Sequence, residues 1–555
     1  MKMNAFWILP LAASMAAAQA PASADKSLSG QLAEARQQLA EQSALLSQMR
    51  EELARQSGAI EQLRVQQNAL RAVTLTGSID DAPRLQNAVL LLRGGAPFTP
   101  AALVSRPQAS EKASSAGPAD LFLRIGSARL TPGGWVDFTS IYRSTNLGSG
   151  LGTTLQSIPF NNTTLGGLSE LRFTAQGSRL SIRLDENIGK TRVFGYLETD
   201  FNGYLAGNGD VSTNSDSLRL RAIYANIARG KWEMLGGQQW SLLTPTRKTL
   251  SPYIADLFVP AFIDTSYQAG LTYTRQEQIR AVYHATPGVA IAISLENPQQ
   301  FSGSAVIFPT LFTNTEVDIN SSTGSGGATA TPNLHPDVIS RATFDHTVAG
   351  LPWHGSLAGL LTSSRVETPA SVTKTVAVKD NREGGGIAGN INLGLFKGFN
   401  LLSTGFWSDG GARYIGGTGP GVVVLQNGSA TAPFSAALIH SGSGIGGFEW
   451  TVRNTTVTAL GSAIYFQRRY GLDPDIKTAT YVGYGFPGSA NTNNRVIKEY
   501  SLSTTTTLWK SPNYGALLLI NQSSYVWRAP WYVAAGSPKD AHVMVDFLNL
   551  RYVLP

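Results

Sequence analysis

Charged side chains recur at every second position along two neighbouring segments of the chain. In one segment Glu198 and Asp200 alternate with Leu197, Thr199 and Phe201, and in the next Arg219 and Arg221 alternate with apolar residues. Residues of this kind, placed together on one face, form ion pairs and a charged wall that a dissolved ion would meet. The predicted members of this wall are Arg179, Arg183, Glu198, Asp200, Arg219 and Arg221.

The turns between these segments suggest how the charges pair. Connections near residues 187–190 and 208–210 allow Arg179 to face Glu198, Asp200 to face Arg219, and Glu198 to face Arg221. All three pairs use the same face, which predicts a ladder of charges across three strands. The ladder either selects ions or only neutralises itself within the wall, and the sequence leaves both readings open.

The strands that carry such a ladder have one charged face and one apolar face, and each face needs a different environment. In the segment 193–201, Val193, Leu197 and Phe201 fall on the face opposite Glu198 and Asp200. A soluble antiparallel sheet explains one such strand. A closed transmembrane barrel explains the whole series, because lipid surrounds its outer face and water fills its lumen. The predicted fold class is therefore all-β, a transmembrane antiparallel β-barrel of about sixteen strands preceded by an α-helical coiled coil.

The barrel is predicted to occupy residues 130–555. Short connections at 187–190, 229–230 and 276–278 are predicted to alternate with long ones, as in outer-membrane barrels. The last segment, near 541–553, has Leu548 and Leu550 on one face and Asn549 and Arg551 on the other. It is predicted to be the closing strand that pairs with the first.

The third long connection, 241–266, is predicted to fold into the lumen and narrow it. Prolines stiffen this segment, and its aromatic residues can pack on the barrel wall. The predicted constriction residues are Arg247, Lys248, Asp256 and Asp264. Together with the arginines of the wall they would make the constriction positive on balance. Alternatively the segment caps a subunit interface instead of narrowing the pore.

The N-terminal region differs from the barrel in composition. Residues 1–24 contain a short apolar run and a small-residue end, which predict a secretory signal peptide. In residues 25–70, Leu32, Leu39, Leu46 and Leu53 recur every seven positions, which predicts a periplasmic coiled-coil stalk, or alternatively a single solvated helix or a disordered spacer. Residues 71–129 are predicted to be a linker.

No catalytic, metal-binding or cofactor-binding motif is visible. The chain has no cysteine and only six histidines, and it lacks the usual zinc, phosphate-loop and serine-hydrolase patterns. We therefore predict no catalytic residue, no metal ligand, no cofactor and no enzymatic activity. The formal charge of +7 together with an export signal argues against nucleic acid and favours small anions. A barrel hydrolase is a minor alternative, using His284, His335, His354, His440 or His542.

Four short motifs resemble those of a known family. SRL at 178–180, YLETDF at 196–201, LRLRAIY at 218–224 and GQQW at 237–240, following a heptad stalk, resemble the DcaP-like outer-membrane porins. The resemblance implies a homotrimeric porin of sixteen strands in the bacterial outer membrane, with its N-terminal coiled coil in the periplasm. It implies passage of small anionic solutes such as dicarboxylates. The alternative is an outer-membrane tether whose stalk binds peptidoglycan.

Overall fold

The computed structural model describes the chain from residue 122 to its end. Short gaps fall at 148, 204–215, 255–256, 259–267, 299, 302–304, 313–329, 332, 371–375, 417, 427 and 475–479. The predicted signal peptide, the predicted coiled-coil stalk and most of the predicted linker lie outside the described residues, as do Asp256 and Asp264.

The described residues form strands and three single-turn 3₁₀ helices. The helices are Leu155–Ser157, Leu165–Gly167 and Ala412–Tyr414. None of the helices in this part of the chain is long and apolar enough to cross a membrane. The strands are β1 Leu123–Ile125, β2 Ala128–Arg143, β3 Glu170–Thr174, β4 Arg179–Ile188, β5 Thr191–Asp200, β6 Arg219–Arg229, β7 Trp232–Trp240, β8 Arg275–Thr286, β9 Val289–Glu296, β10 Gln300–Phe301, β11 Ala330–Thr331, β12 Asp337–Val348, β13 Leu351–Thr368, β14 Val378–Phe396, β15 Phe399–Asp409, β16 Val422–Gln426, β17 Phe434–Leu438, β18 His440–Val452, β19 Thr455–Phe466, β20 Arg469–Leu472, β21 Tyr481–Tyr484, β22 Asn494–Ser511, β23 Gly515–Pro530 and β24 Ala541–Val553.

Sixteen of these strands close into an antiparallel barrel. Its circular order is β2, β4, β5, β6, β7, β8, β9, β12, β13, β14, β15, β18, β19, β22, β23 and β24, and β24 returns to pair with β2. The closing register joins Trp135 to Val553, which confirms the predicted closing strand. Two short strands extend this set: β1 pairs with the start of β2, and β3 pairs with its end. The predicted all-β barrel of about sixteen strands is confirmed.

The two faces of the barrel wall differ as the alternation predicts. Large apolar side chains such as Leu180, Ile223 and Leu550 are exposed on the outer face, whereas Glu198 and Arg221 are buried on the inner one. An exposed apolar belt on this scale requires lipid around it. The outer face therefore has the composition of a membrane-spanning wall.

Short and long connections lie at opposite ends of the barrel. The turns at Gly189 and Gly230 have φ of +60° and +61°, which glycine adopts without strain. The predicted turn at 276–278 is wrong, because β8 runs through these residues and the turn falls after Thr286. The polar sequence around Gln276 misled the prediction. The third long connection, called loop 3 below, therefore spans residues 241–274.

Candidate functional site

The charge ladder lies on the inner face of β4, β5 and β6. Arg221 donates from Nε to Glu198 Oε1 at 2.8 Å and from Nη1 to Asp200 Oδ2 at 2.7 Å. Arg219 donates to both oxygens of Asp200, at 3.0 and 2.7 Å. Arg179 lies at 3.7 Å from Glu198. The structure thus brings these five side chains together in one network.

The register within the ladder agrees with the predicted one at Asp200 and Arg219, which stand opposite each other, and differs from it elsewhere. Arg179 stands opposite Asp200, and Glu198 stands opposite Ser181, so the pairing of β4 with β5 is shifted by two residues. Between β5 and β6 a bulge follows Glu198, and its direct partner is Ala222. Long arginine side chains span these offsets, so the ion pairs with Glu198 form although Arg179 and Arg221 do not stand opposite it.

Arg183 lies apart from this network. Its Nε contacts Asp185, which also accepts from Arg192 at 3.0 Å. The guanidinium carbons of Arg183 and Arg192 lie 5.9 and 5.7 Å from the ring centre of Tyr253 in loop 3. Arg183 lies four residues after Arg179 on β4. This distance along the strand places Arg183 near the short-turn end of the lumen, whereas Arg179 belongs to the ladder.

Arg275 and Trp240 extend the ladder toward β7 and β8, and the sequence prediction missed both. The guanidinium carbons of Arg221 and Arg275 lie 5.6 and 5.3 Å from the Trp240 ring centre, within cation–π range. Tyr273 stacks on the same indole, with ring centres 3.7 Å apart. The motif GQQW ends at this tryptophan, so the motif supplies the indole ring that Arg221, Arg275 and Tyr273 contact.

Buried polar side chains of the wall hold the first part of loop 3. Glu296 on β9 accepts from the Leu242 backbone N–H at 2.7 Å. Arg341 on β12 is 3% exposed and donates to the Leu242 carbonyl at 3.1 Å and to the Thr246 hydroxyl at 3.1 Å. Asn390 on β14 donates to the Thr246 carbonyl at 2.8 Å. The loop is thus bonded to the wall from β9 to β14.

Loop 3 next reaches the wall at β18. The guanidinium of Arg247 makes two hydrogen bonds of 2.7 Å to the carboxylate of Glu449, and both side chains are nearly buried. Phe258 lies beneath this guanidinium, with the Arg247 Cζ 5.5 Å from its ring centre. A two-bond pairing of this kind fixes both position and orientation.

The loop then returns across the barrel toward β5, β6 and β7. The Pro252 carbonyl accepts from Tyr224 and, at 3.2 Å, from Gln239. Tyr253 packs edge-on against Phe194 with ring centres 4.8 Å apart. Because residues 242–253 touch opposite sides of a closed barrel, this part of loop 3 lies inside the barrel.

The end of loop 3 is held by a second buried carboxylate. Glu499 on β22 accepts from the Ala269 backbone N–H at 2.7 Å, and Gln268 donates to Ser462 on β19 at 2.9 Å. Glu296 and Glu499 each take an inward position in an alternating strand, which the sequence pattern shows. That each receives a loop N–H depends on tertiary structure, so the pattern alone could not reveal it.

A cavity of about 1150 Å³ lies between loop 3 and the short-turn end of the barrel. Among the described residues, four cationic side chains and two carboxylates line it, together with three histidines. The cations are Arg192, Lys231, Arg247 and Lys248, and the carboxylates are Glu233 and Asp345. The cavity lining is therefore polar and has more cations than carboxylates, and two of these cations, Arg247 and Arg192, are paired with Glu449 and Asp185 outside the lining.

One histidine of this cavity meets both a carboxylate and a hydroxyl group. His354 Nδ1 lies 2.9 Å from Asp345 Oδ1, and its Nε2 lies 3.3 Å from Thr246 Oγ1. The Thr246 hydroxyl also accepts from Arg341 and does not line the cavity. The hydrogen bonds among Asp345, His354, Thr246 and Arg341 therefore hold loop 3 against the wall. The described residues contain no cluster of side chains suited to a metal ion.

The fold has a counterpart among solved structures. No protein-family model and no curated protein matches the chain. The outer membrane channel DcaP of Acinetobacter baumannii is 16% identical with a TM-score of 0.53, over 77% of this chain and 98% of that one. An anion-selective porin from Comamonas acidovorans is 11% identical with a TM-score of 0.41, over 77% and 100%. At the level of fold, the likeness to DcaP confirms the resemblance seen in the sequence.

Proposed function

We propose that the chain is an outer-membrane porin that lets small hydrophilic solutes diffuse through its lumen and prefers anions of the dicarboxylate kind. The observation that carries this proposal is the cavity inside the closed barrel, with four cationic side chains against two carboxylates. Positive groups in a confined lumen attract anions and replace part of their hydration shell. The cavity lies beside loop 3, which would form the constriction.

Within this proposal the predicted constriction cations have different roles. Arg247 is already paired with Glu449, so it contributes little net charge and mainly holds the loop. Lys248 is the next residue and also lines the cavity. Replacing Lys248 therefore tests the charge of the cavity without removing the pair of Arg247 and Glu449.

The ladder of β4, β5 and β6 would add a second positive region. In the described part of the chain, this network combines four arginines, Arg179, Arg219, Arg221 and Arg275, with the two carboxylates Glu198 and Asp200. The positive excess supports an anion pathway along this wall. We also propose the homotrimer and the periplasmic stalk that the resemblance implies.

Replacing Lys248 by glutamate tests the proposed selectivity. With Arg247 neutralised by Glu449, the change converts three cations and two carboxylates of the lining into two cations and three carboxylates, so we expect the chloride-to-potassium permeability ratio in planar bilayers to fall by about three-fold or more. Lys190→Glu is the matched control, because Lys190 is exposed in a short turn outside the cavity. An unchanged ratio in a folded, conducting Lys248→Glu variant would contradict the proposal.

A further inference from the structure

Three cations and two tryptophans gather at the long-loop end of β19, β22 and β23, where Lys498 and Trp527 lie on the outer face and Arg468 and Trp531 lie just beyond the ends of β19 and β23. We infer that this surface docks a phosphate-bearing glycolipid of the outer leaflet, an inference that rests on the proposed outer-membrane location. Its members are Arg468, Arg495, Lys498, Trp527 and Trp531, called the rim patch below.

The cations of the rim patch are arranged around the indole rings. The guanidinium carbons of Arg468 and Arg495 lie 5.3 and 5.8 Å from the ring centre of Trp531. The Nζ of Lys498 lies 5.4 Å from the ring centre of Trp527. Trp531 is held in place by a hydrogen bond of 3.0 Å from its Nε1 to the Phe466 carbonyl. The aromatic rings therefore hold three exposed positive charges in one region.

These cations have no acidic partner among the described residues. Arg468, Arg495 and Lys498 form neither an ion pair nor a side-chain hydrogen bond there. Cations at the same end of β13 and β14 are paired instead: Lys379 lies 3.6 Å from Glu367, and Arg382 lies 3.0 Å from Asp380. Three exposed cations that lack an acidic partner in the described part of the chain are complementary to an anionic group.

The height of the rim patch on the barrel indicates a lipid headgroup. Tryptophan and tyrosine rings mark the membrane interface in barrels, and Trp407, Tyr465 and Trp527 stand at this level, near the long-loop ends of their strands. Phosphate groups of lipids lie at the same height. Lys and Arg at this level are well placed to bond phosphate oxygens.

The outer wall next to the rim patch is formed by small residues, which leave room for acyl chains. In one row of paired residues Lys498 is followed by Ala463, Gly444 and Gly405, all on the outer face. A side-chain carbon placed on the nearby Gly446 would meet no atom within 4 Å. An acyl chain can therefore lie close to the backbone here, while the cations hold its headgroup.

Native mass spectrometry of the intact protein in detergent tests this inference. Bisphosphorylated lipid A is compared with lipid A from which the phosphates have been removed, so that the acyl chains are the same. We expect the wild type to retain the phosphorylated form preferentially. Each of Arg468→Gln, Arg495→Gln and Lys498→Gln should lower this retention about five-fold, and the triple variant at least about ten-fold.

The matched control removes three cations that already have side-chain partners at the same end of the barrel. In Arg365→Gln, Lys379→Gln and Arg382→Gln combined, retention should stay at the wild-type level. Equal retention of both lipid forms by the wild type, or displacement of lipid A by millimolar inorganic phosphate, would overturn the inference. So would a cross-link between two copies through a single cysteine placed at Ala463, because the face would then be a subunit contact.

Ion conductance of the same variants separates this inference from the proposed function. The three cations of the rim patch do not line the cavity beside loop 3, so the triple variant should conduct like the wild type. A protein that retains phosphorylated lipid A but never conducts would contradict the porin proposal alone. A conducting protein without lipid preference would contradict the lipid inference alone.

Discussion

Removing the negative charge of Glu449 should release loop 3 from the wall. Glu449→Gln keeps the shape of the side chain but takes away the carboxylate that lies 2.7 Å from both terminal nitrogens of Arg247. Breaking a buried ion pair through one partner costs about 3–5 kcal/mol. Arg247 also borders the cavity of about 1150 Å³ and so is not enclosed on every side, which favours the lower end of that range, about 3 kcal/mol.

A cost of this size should appear as local opening rather than as unfolding of the barrel. The barrel strands remain paired around a closed sheet, so only the loop loses a contact. A change of about 3 kcal/mol raises the opened population on the order of 100-fold.

Limited proteolysis with trypsin measures this opening directly. Cleavage after Lys248 requires the loop to leave the wall, and its rate follows the opened population when opening and closing are fast. We expect cleavage on the order of 100-fold faster in Glu449→Gln. The control Glu367→Gln affects a half-exposed pair and should cleave at the wild-type rate.

A second variant separates charge from packing. Arg247→Met combined with Glu449→Leu removes both charges and keeps apolar volume, which should return the cleavage rate at Lys248 to near the wild-type value. If Glu449→Gln cleaves at the wild-type rate, the pair does not hold loop 3 and the reasoning is refuted. If the double variant cleaves as fast as the single one, the loss is steric rather than electrostatic.

Three further predictions concern other parts of the chain. Arg219→Glu places a third carboxylate beside Asp200 and Glu198, so the anion-to-cation permeability ratio should be a few-fold lower in a barrel that still inserts. An unchanged ratio would mean that the ladder is purely structural. The Pro336 carbonyl and the Glu383 carboxylate raise the pKa of His335. The stabilisation from the ion pair of His335 with Glu383 should therefore be fully present below about pH 6.5 and be lost as the pH rises through the higher pKa of the folded protein. An NMR titration that places the His335 pKa at or below the ordinary value would contradict this prediction. A peptide of residues 28–70 should be helical and self-associate in sedimentation experiments, whereas a monomer at high micromolar concentration would argue against the coiled coil.

The sequence predicted those features that depend on local alternation. The inward position of Glu198, Asp200, Arg219 and Arg221 follows from a period of two, and the structure places each on the inner face. The closing strand followed from the same rule, because Asn549 and Arg551 alternate with exposed leucines. A single strand pattern is enough to assign faces, since each residue points to one side or the other.

Features that depend on which strands meet could not be predicted. The register of β4 and β5 is shifted by two residues, a change that keeps every side chain on its predicted face and so leaves no trace in the pattern. The partner of Arg247 is Glu449, some two hundred residues away, on a strand that touches the loop only because the barrel closes. Arg247 was therefore predicted as a pore charge, although its charge is neutralised at the wall.

The reversal potential of the wild-type protein in a planar bilayer with a potassium chloride gradient tests the central claim most directly. The proposal predicts stable ion conductance and a potential whose sign shows that chloride permeates more readily than potassium. Folded protein that inserts without conducting, or a potential that shows preference for potassium, would contradict it.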